Sequence, residues 1–224
     1  MMIGVLAVTA LTACSAVTPA VQRSTPHAAP SQTQTQSPIP DADAIVIRPD
    51  GLELVAHGTA IRMLAYTDAP ADAVATLSAL VAAQPVTTFH PSRDPRVSDS
   101  TTYEWAGFTI TDDHLKQGGP GPAPHGPATF SIYASGPMIA GRLPVTTVQG
   151  FRAGDAVTAV AAKLGVDPKA SVFFAVPAET GPVIGPSRVA GEKNAPAVLV
   201  GQASKDPTTI EIRAPYNFGD GHDV

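Results

Sequence analysis

From Ala44 onward the chain alternates short apolar runs with turn residues. Ile45-Val46-Ile47 and Leu52-Glu53-Leu54-Val55 flank Pro49-Asp50-Gly51, a pattern that predicts a hairpin. Ala60 to Tyr66 reads as a further strand. Asp68-Ala69-Pro70 then opens a helix in which Val74, Leu77, Leu80 and Val81 fall on one face, with Pro85 as its stop. The run Thr102 to Ile110 reads as one half-buried strand rich in large apolar residues, followed by a loop that carries Gly118-Gly119-Pro120-Gly121-Pro122.

The second half repeats this alternation. Thr129 to Tyr133 and Pro144 to Val148 read as strands leading into a second helix. Asp155 is its expected N-cap, Val157, Val160, Ala161 and Leu164 its apolar face, Gly165 its C-cap glycine, and Pro168 lies just beyond. Val172 to Val176, Ala197 to Val200 and Thr209 to Arg213 complete the set of strands, the last two joined through Lys205-Asp206-Pro207. Asp72-Ala73-Val74 and Pro85 recur 83 positions later as Asp155-Ala156-Val157 and Pro168, so two tandem halves, 45–127 and 128–224, are one expectation and chance likeness of alanine-rich helices the other. The expected fold is α+β: small antiparallel sheets, each packed by a short helix.

Before Ala44 the pattern is different. Residues 15–44 hold five prolines and the tract Ser31-Gln32-Thr33-Gln34-Thr35-Gln36-Ser37-Pro38, too polar to bury enough apolar surface to offset the entropy of ordering. This stretch is expected to be a disordered tether that gives reach to the domain at 45–224 and holds no site of its own. Upstream, Ile3 to Ala10 is an apolar run too short to span a bilayer, which needs roughly 20 residues, but suited to the apolar region of a signal peptide.

The one cysteine of the chain closes this segment. A lone thiol makes no internal disulfide, so an exported chain needs another reason to carry it. Leu11-Thr12-Ala13-Cys14 resembles the lipobox of bacterial lipoproteins: leucine, a small residue, alanine or glycine, and the invariant cysteine. That resemblance implies a signal peptide at 1–13, diacylglycerol on Cys14 as the mature N-terminus, and a chain held by lipid at a cell membrane, facing outside the cytoplasm. Residues 1–10 carry no Lys or Arg, a departure from that family's pattern.

A second resemblance rests on Thr147-Val148-Gln149-Gly150-Phe151-Arg152-Ala153-Gly154-Asp155 with Val157 and Leu164-Gly165. This stretch is similar to the helix-opening motif of the SmpA/BamE assembly lipoproteins and of the β-lactamase-inhibitor protein. In those families the activity is protein binding by an exposed sheet, and they bring no catalytic residues to carry over.

The chemistry legible in the sequence is sparse. With net charge −5 and pI near 5.6 there is no basic stripe, which argues against a nucleic-acid partner. No Gly-x-Ser-x-Gly elbow, Ser-x-x-Lys, His-Glu-x-x-His or phosphate-binding loop occurs. His27, His57, His90, His114, His125 and His222 are scattered singly and read as surface histidines. Asp112-Asp113-His114 and Asp220-Gly221-His222-Asp223 have the donors to hold a cation but no recognised metal spacing; a polar turn and a frayed terminus account for them, and no metal or cofactor is assigned.

Tyr103, Trp105 and Phe108 are the candidate binding surface, since flat rings anchor interfaces. Strict alternation along one strand puts Tyr103 and Trp105 on one face and Phe108 on the other, and the core is the favoured place for Trp105. The expected function is a membrane-anchored, non-catalytic lipoprotein that binds a protein or a wall polymer of the envelope. The alternative is an envelope enzyme, or enzyme accessory, with a dispersed site.

Overall fold

A computed structural model describes residues 41–93, 98–114, 128–169, 174–184 and 191–217. Cys14 and the lipobox residues Leu11, Thr12 and Ala13 lie outside the described residues, as do the glycine-rich loop at 118–122 and the segment Asp220–Asp223. The first half supplies β1 (Ala44–Ile47), β2 (Gly51–Ala56), β3 (Thr59–Ala65), α1 (Pro70–Val81), β4 (Val86–His90), β5 (Ser100–Trp105) and β6 (Phe108–Asp112). The second supplies β7 (Phe130–Ala134), β8 (Met138–Ile139), β9 (Leu143–Thr147), α2 (Val157–Leu164), β10 (Ala175–Thr180), β11 (Ala197–Gln202) and β12 (Ile210–Tyr216). Each half therefore reads three strands, one helix, three strands. The class is α+β, with two helices and two mainly antiparallel sheets.

The two halves do not form separate sheets. A five-stranded sheet runs β3-β2-β1-β9-β8, and its β1–β9 contact, which joins the halves, is parallel. A seven-stranded sheet runs β10-β11-β12-β7-β6-β5-β4, with β7 seated between β6 of the first half and β12 of the second. Strand pairing thus ties the halves together through both sheets.

The predicted β1–β2 hairpin forms, and its register pairs Ile45 with Leu54 and Ile47 with Leu52. All four side chains are buried, because a period of two sends alternate residues to one face. In α1, Pro70 stands in the first turn, where its missing N–H is no loss, and Ala73, Leu77 and Val81 at four-residue spacing face the core. The helix stops at Ala82, which is left-handed at φ 49°, three residues ahead of Pro85. In α2 the expected N-cap is displaced: Ala156 stands at the boundary, and the Asp155 carboxylate instead accepts from the N–H of Arg152 at 2.8 Å, tightening the turn before the helix. Gly165 closes α2 with φ 70°, as its position after Leu164 predicts.

The expectation of a single strand is overturned. Residues 102–110 are not one strand but the hairpin β5–β6, reversed at Ala106-Gly107. Gly107 has φ 83°, and a Cβ there would lie 2.6 Å from the carbonyl oxygen of Met138, so both conformation and space require glycine. The reversal restarts the alternation: Trp105 pairs with Phe108, and both point to the same, inner side. The strand expected at Val172–Val176 is described from Ala175 and runs to Thr180.

One core serves both sheets and both helices. Ile45, Leu54 and Val145 enter it from the five-stranded sheet, Phe108, Ile110, Ile132 and Ile212 from the seven-stranded sheet, and Leu77, Val81, Val160 and Ala161 from the helices. Away from this core the outer side of β4–β7 is partly exposed, whereas β11 is buried on both sides from Ala197 to Gly201.

Candidate functional site

The outer face of the seven-stranded sheet follows from its register. Ile110, Ile132 and Ala214 are cross-strand partners and all buried, so Thr109 and Thr111, Ser131 and Tyr133, and Arg213, one position away on each strand, point outward. Two rows result. The first runs Val86, Glu104, Thr109, Tyr133, Arg213; the second runs Thr88, Thr102, Thr111, Ser131. With strands about 4.8 Å apart, the four hydroxyls of the second row span about 14 Å. Each hydroxyl both donates and accepts, so this row can follow a partner that also carries hydroxyls.

At one end of the first row sits a compact polar cluster. Glu211 is only 4% exposed, and its carboxylate is fully engaged: Arg213 donates to Oε1 through Nη2 at 2.6 Å and Nε at 3.1 Å, and the Tyr133 hydroxyl donates to Oε2 at 2.7 Å. The Ser204 N–H adds a longer bond of 3.4 Å to Oε2. The guanidinium of Arg213 also lies over the Tyr133 ring, 5.5 Å from its centre. Burial, followed by the bond to Glu211, pushes the Tyr133 hydroxyl up, so it stays a neutral donor. The cluster holds one aromatic ring and one half-exposed cation in fixed positions beside the row of four hydroxyls.

A hydroxyl and an imidazole also meet at the end of β5. Thr101 Oγ1 lies 2.8 Å from His114 Nε2, and Asp112 Oδ2 is 3.8 Å from that same nitrogen. A relay would need the carboxylate on Nδ1, the opposite ring nitrogen, to hold the tautomer that lets Nε2 accept a proton. Asp112 instead takes the backbone N–H of His114 at 3.0 Å, and the ring tilts against Phe89 at 6.0 Å between centres. Asp113 is pushed up to about 6, mainly by burial and then by Asp112, with His114 opposing. Among the described residues no three His, Cys, Asp or Glu side chains converge as a metal site. On the outer face His90 Nε2 stands 3.1 Å from Thr102 Oγ1, and His57 occupies the β2–β3 turn with its N–H on Asp43 at 2.7 Å.

The aromatic trio expected to form a binding surface is not brought together outside. Trp105 is 3% and Phe108 1% exposed, both within the core, and Tyr103 is half-buried on the same inner side as Ile110. Trp105 also donates its indole N–H to the carbonyl of Ala83 at 3.0 Å. The hairpin explains the change, since its two-residue turn returns Phe108 to the side that Trp105 occupies. What sequence reasoning misses lies on the opposite side: Thr102, Thr109, Thr111, Tyr133, Glu211 and Arg213. Their alternation within each strand is visible in the sequence; the register that lines them up in rows is not.

No known protein family, curated protein or solved structure matches this chain.

Proposed function

We propose that this chain is an extracytoplasmic lipoprotein, held at a cell membrane by lipid on Cys14, that binds a component of the envelope on the outer face of its seven-stranded sheet without catalysing a reaction. The anchoring rests on Leu11-Thr12-Ala13-Cys14 after an apolar run and before a polar, proline-bearing stretch. Among the described residues no helix is long and apolar enough to cross a membrane.

The observation that carries the binding role is the pair of outward rows, a line of four hydroxyls beside the Tyr133–Arg213 stack. A protein interface of high affinity is built on a desolvated apolar centre with aromatic anchors. This face has one aromatic and many hydroxyls. That balance favours a hydroxylated wall polymer over a protein.

Thr102→Val with Thr111→Val removes two hydroxyls while keeping side-chain shape and strand preference. Co-sedimentation with insoluble wall polysaccharide should weaken severalfold in this variant at unchanged thermal unfolding. Undiminished binding by the folded variant moves the site elsewhere, and hydrolysis of the polymer by the parent chain replaces a binding role with the enzymatic one. For the anchor, fatty-acid labelling should mark the parent and fail on Cys14→Ser; no label on the parent removes the lipoprotein reading.

A further inference from the structure

The seven-stranded sheet ends in a strand that nothing guards. β4 pairs with β5 on one side and, among the described residues, with no strand on the other. Exposed sheet edges invite pairing with another chain, and folded proteins blunt them with bulges, prolines, charges or short strands. The other three edges carry such devices: β10 holds Pro177 and a register shift between Pro177 and Glu179, β3 carries Arg62 and passes over Ile61 in its register with β2, and β8 is two residues long. β4 has none. Its five residues include no acid, lysine, arginine or proline, its register with β5 is continuous, and all five are exposed. Val86 and Phe89, at 69% and 55% exposure, put apolar side chains on this same unmatched strand.

The flanks of β4 say what pairs with it. Pro85 and Pro91 bracket the strand, each three positions from Thr88. Proline has no N–H to give to a ladder, so a new strand can be matched only between them. A second copy of β4 laid antiparallel about Thr88 is matched over its whole length, with Pro85 opposite Pro91 of the second copy at each end. Sliding one strand by two residues brings a proline into the paired stretch, and sliding it by one sets the outer face of one copy against the inner face of the other. In the centred register no like charges meet. Thr88 faces Thr88, Val86 faces His90, and Thr87 faces Phe89, which places the two phenyl rings at diagonal positions that aromatic side chains can span.

We propose that two copies of the chain pair through β4, antiparallel about Thr88, into a twofold dimer with one continuous sheet. Thr88 is also the end of the row Thr88, Thr102, Thr111, Ser131. Pairing at this residue joins the rows of both copies end to end, so that hydroxyls line about 34 Å in place of about 14 Å. A polymer that repeats its hydroxyl groups along its length gains contacts on such a row without any new kind of site. The pairing stands on β4 alone, whereas the use of the joined row rests on the reading of this face as a polymer-binding surface.

Introduced thiols read the register directly. In the full chain with Cys14→Ser, the only thiol is the one added. Thr88→Cys should be bridged to a dimer by a short bismaleimide severalfold faster than Val86→Cys, whose two copies lie about 14 Å apart along the strands. An equimolar mixture of Val86→Cys and His90→Cys should give the mixed dimer in preference to either homodimer. Sedimentation equilibrium of the Cys14→Ser chain should show a dimer that Phe89→Lys, outside the hydroxyl row, dissociates at an unchanged circular dichroism spectrum. That variant should also bind wall polysaccharide severalfold more weakly in co-sedimentation. A chain that stays monomeric at every concentration overturns the pairing and gives the edge to a strand of another protein. Equal bridging of Thr88→Cys and Val86→Cys, or a dimer that Phe89→Lys leaves intact, overturns it as well. Pairing in this register without any polysaccharide binding upholds the β4 interface and removes the polymer reading instead.

Discussion

Ala82 and Gly165 stand 83 residues apart and close the two helices with the same pair of hydrogen bonds. The N–H of Ala82 donates to the carbonyl of Ala79 and that of Ala83 to Ser78; the N–H of Gly165 donates to Ala162 and that of Val166 to Ala161. Every donor and acceptor is displaced by 83, and both caps are left-handed, at φ 49° and 70°. An alanine in this conformation carries a strain of about 1 kcal/mol that glycine does not. Ala82→Gly should therefore raise Tm by about 2 °C, whereas Gly165→Ala, with nothing within 4 Å of a new Cβ, should lower it by about 2–4 °C through conformation alone. Shifts of the same sign at the two sites in calorimetry would deny that the two caps share one geometry.

Gly107 adds space to conformation. Its φ of 83° already disfavours a side chain, and the Met138 carbonyl, 2.6 Å from where a Cβ would stand, is backbone, which cannot step aside as a flexible side chain would. Gly107→Ala is expected to cost about 2–4 kcal/mol, clearly more than Gly165→Ala, because strain and overlap act together. Denaturant unfolding of the two variants side by side decides it; matching losses would mean that the β5–β6 turn relaxes freely.

How far the sequence reaches can be judged at these same elements. The β1–β2 hairpin, the extents of α1 and α2, and Gly165 are set by neighbours within a few positions, and local pattern locates them. The β5–β6 turn escapes because Ala106-Gly107 is flanked by aromatic residues that continue an apolar run, and a single glycine does not separate a bulge from a reversal. β4 escapes for a different reason: Val86-Thr87-Thr88-Phe89-His90 is exposed along its whole length at the sheet edge, so no burial pattern is written into it. The hydroxyl rows depend on pairing partners such as Tyr133 and Arg213, 80 residues apart, which no local period encodes.

The pH dependence of stability should carry a signature of Asp113. Its carboxyl is raised from the ordinary 3.8 to about 6, by burial first and Asp112 second, so the folded chain holds a proton there that the unfolded chain has already released. The group's favourable contribution is complete below about pH 4 and is lost as pH rises through 6. Partial solvent access reduces the effect to about 1–2 kcal/mol. Asp113→Asn should match the parent near pH 4 and exceed it by that amount at pH 8. A constant difference across the range would place the carboxyl in water rather than against Asp112.

Glu211 and Arg213 test whether the ring on the hydroxyl face is held by charge. Glu211 is buried and Arg213 about half exposed, so removal of the arginine leaves the carboxylate, among the described residues, with the Tyr133 hydroxyl and the Ser204 N–H. Breaking a fully buried pair costs about 3–5 kcal/mol, and the open position of Arg213 reduces this to about 1–3 for Arg213→Ala. Arg213→Lys keeps the charge but not the two converging N–H groups, and should fall between parent and alanine. Glu211→Gln keeps an acceptor for Tyr133 and returns Arg213 to water, where a cation is well solvated, so it should cost less than Arg213→Ala. Urea unfolding gives the order directly. An alanine variant as stable as the parent would show that Tyr133 alone satisfies the carboxylate, and the stacked arginine would then be free to engage a partner rather than committed to holding the face.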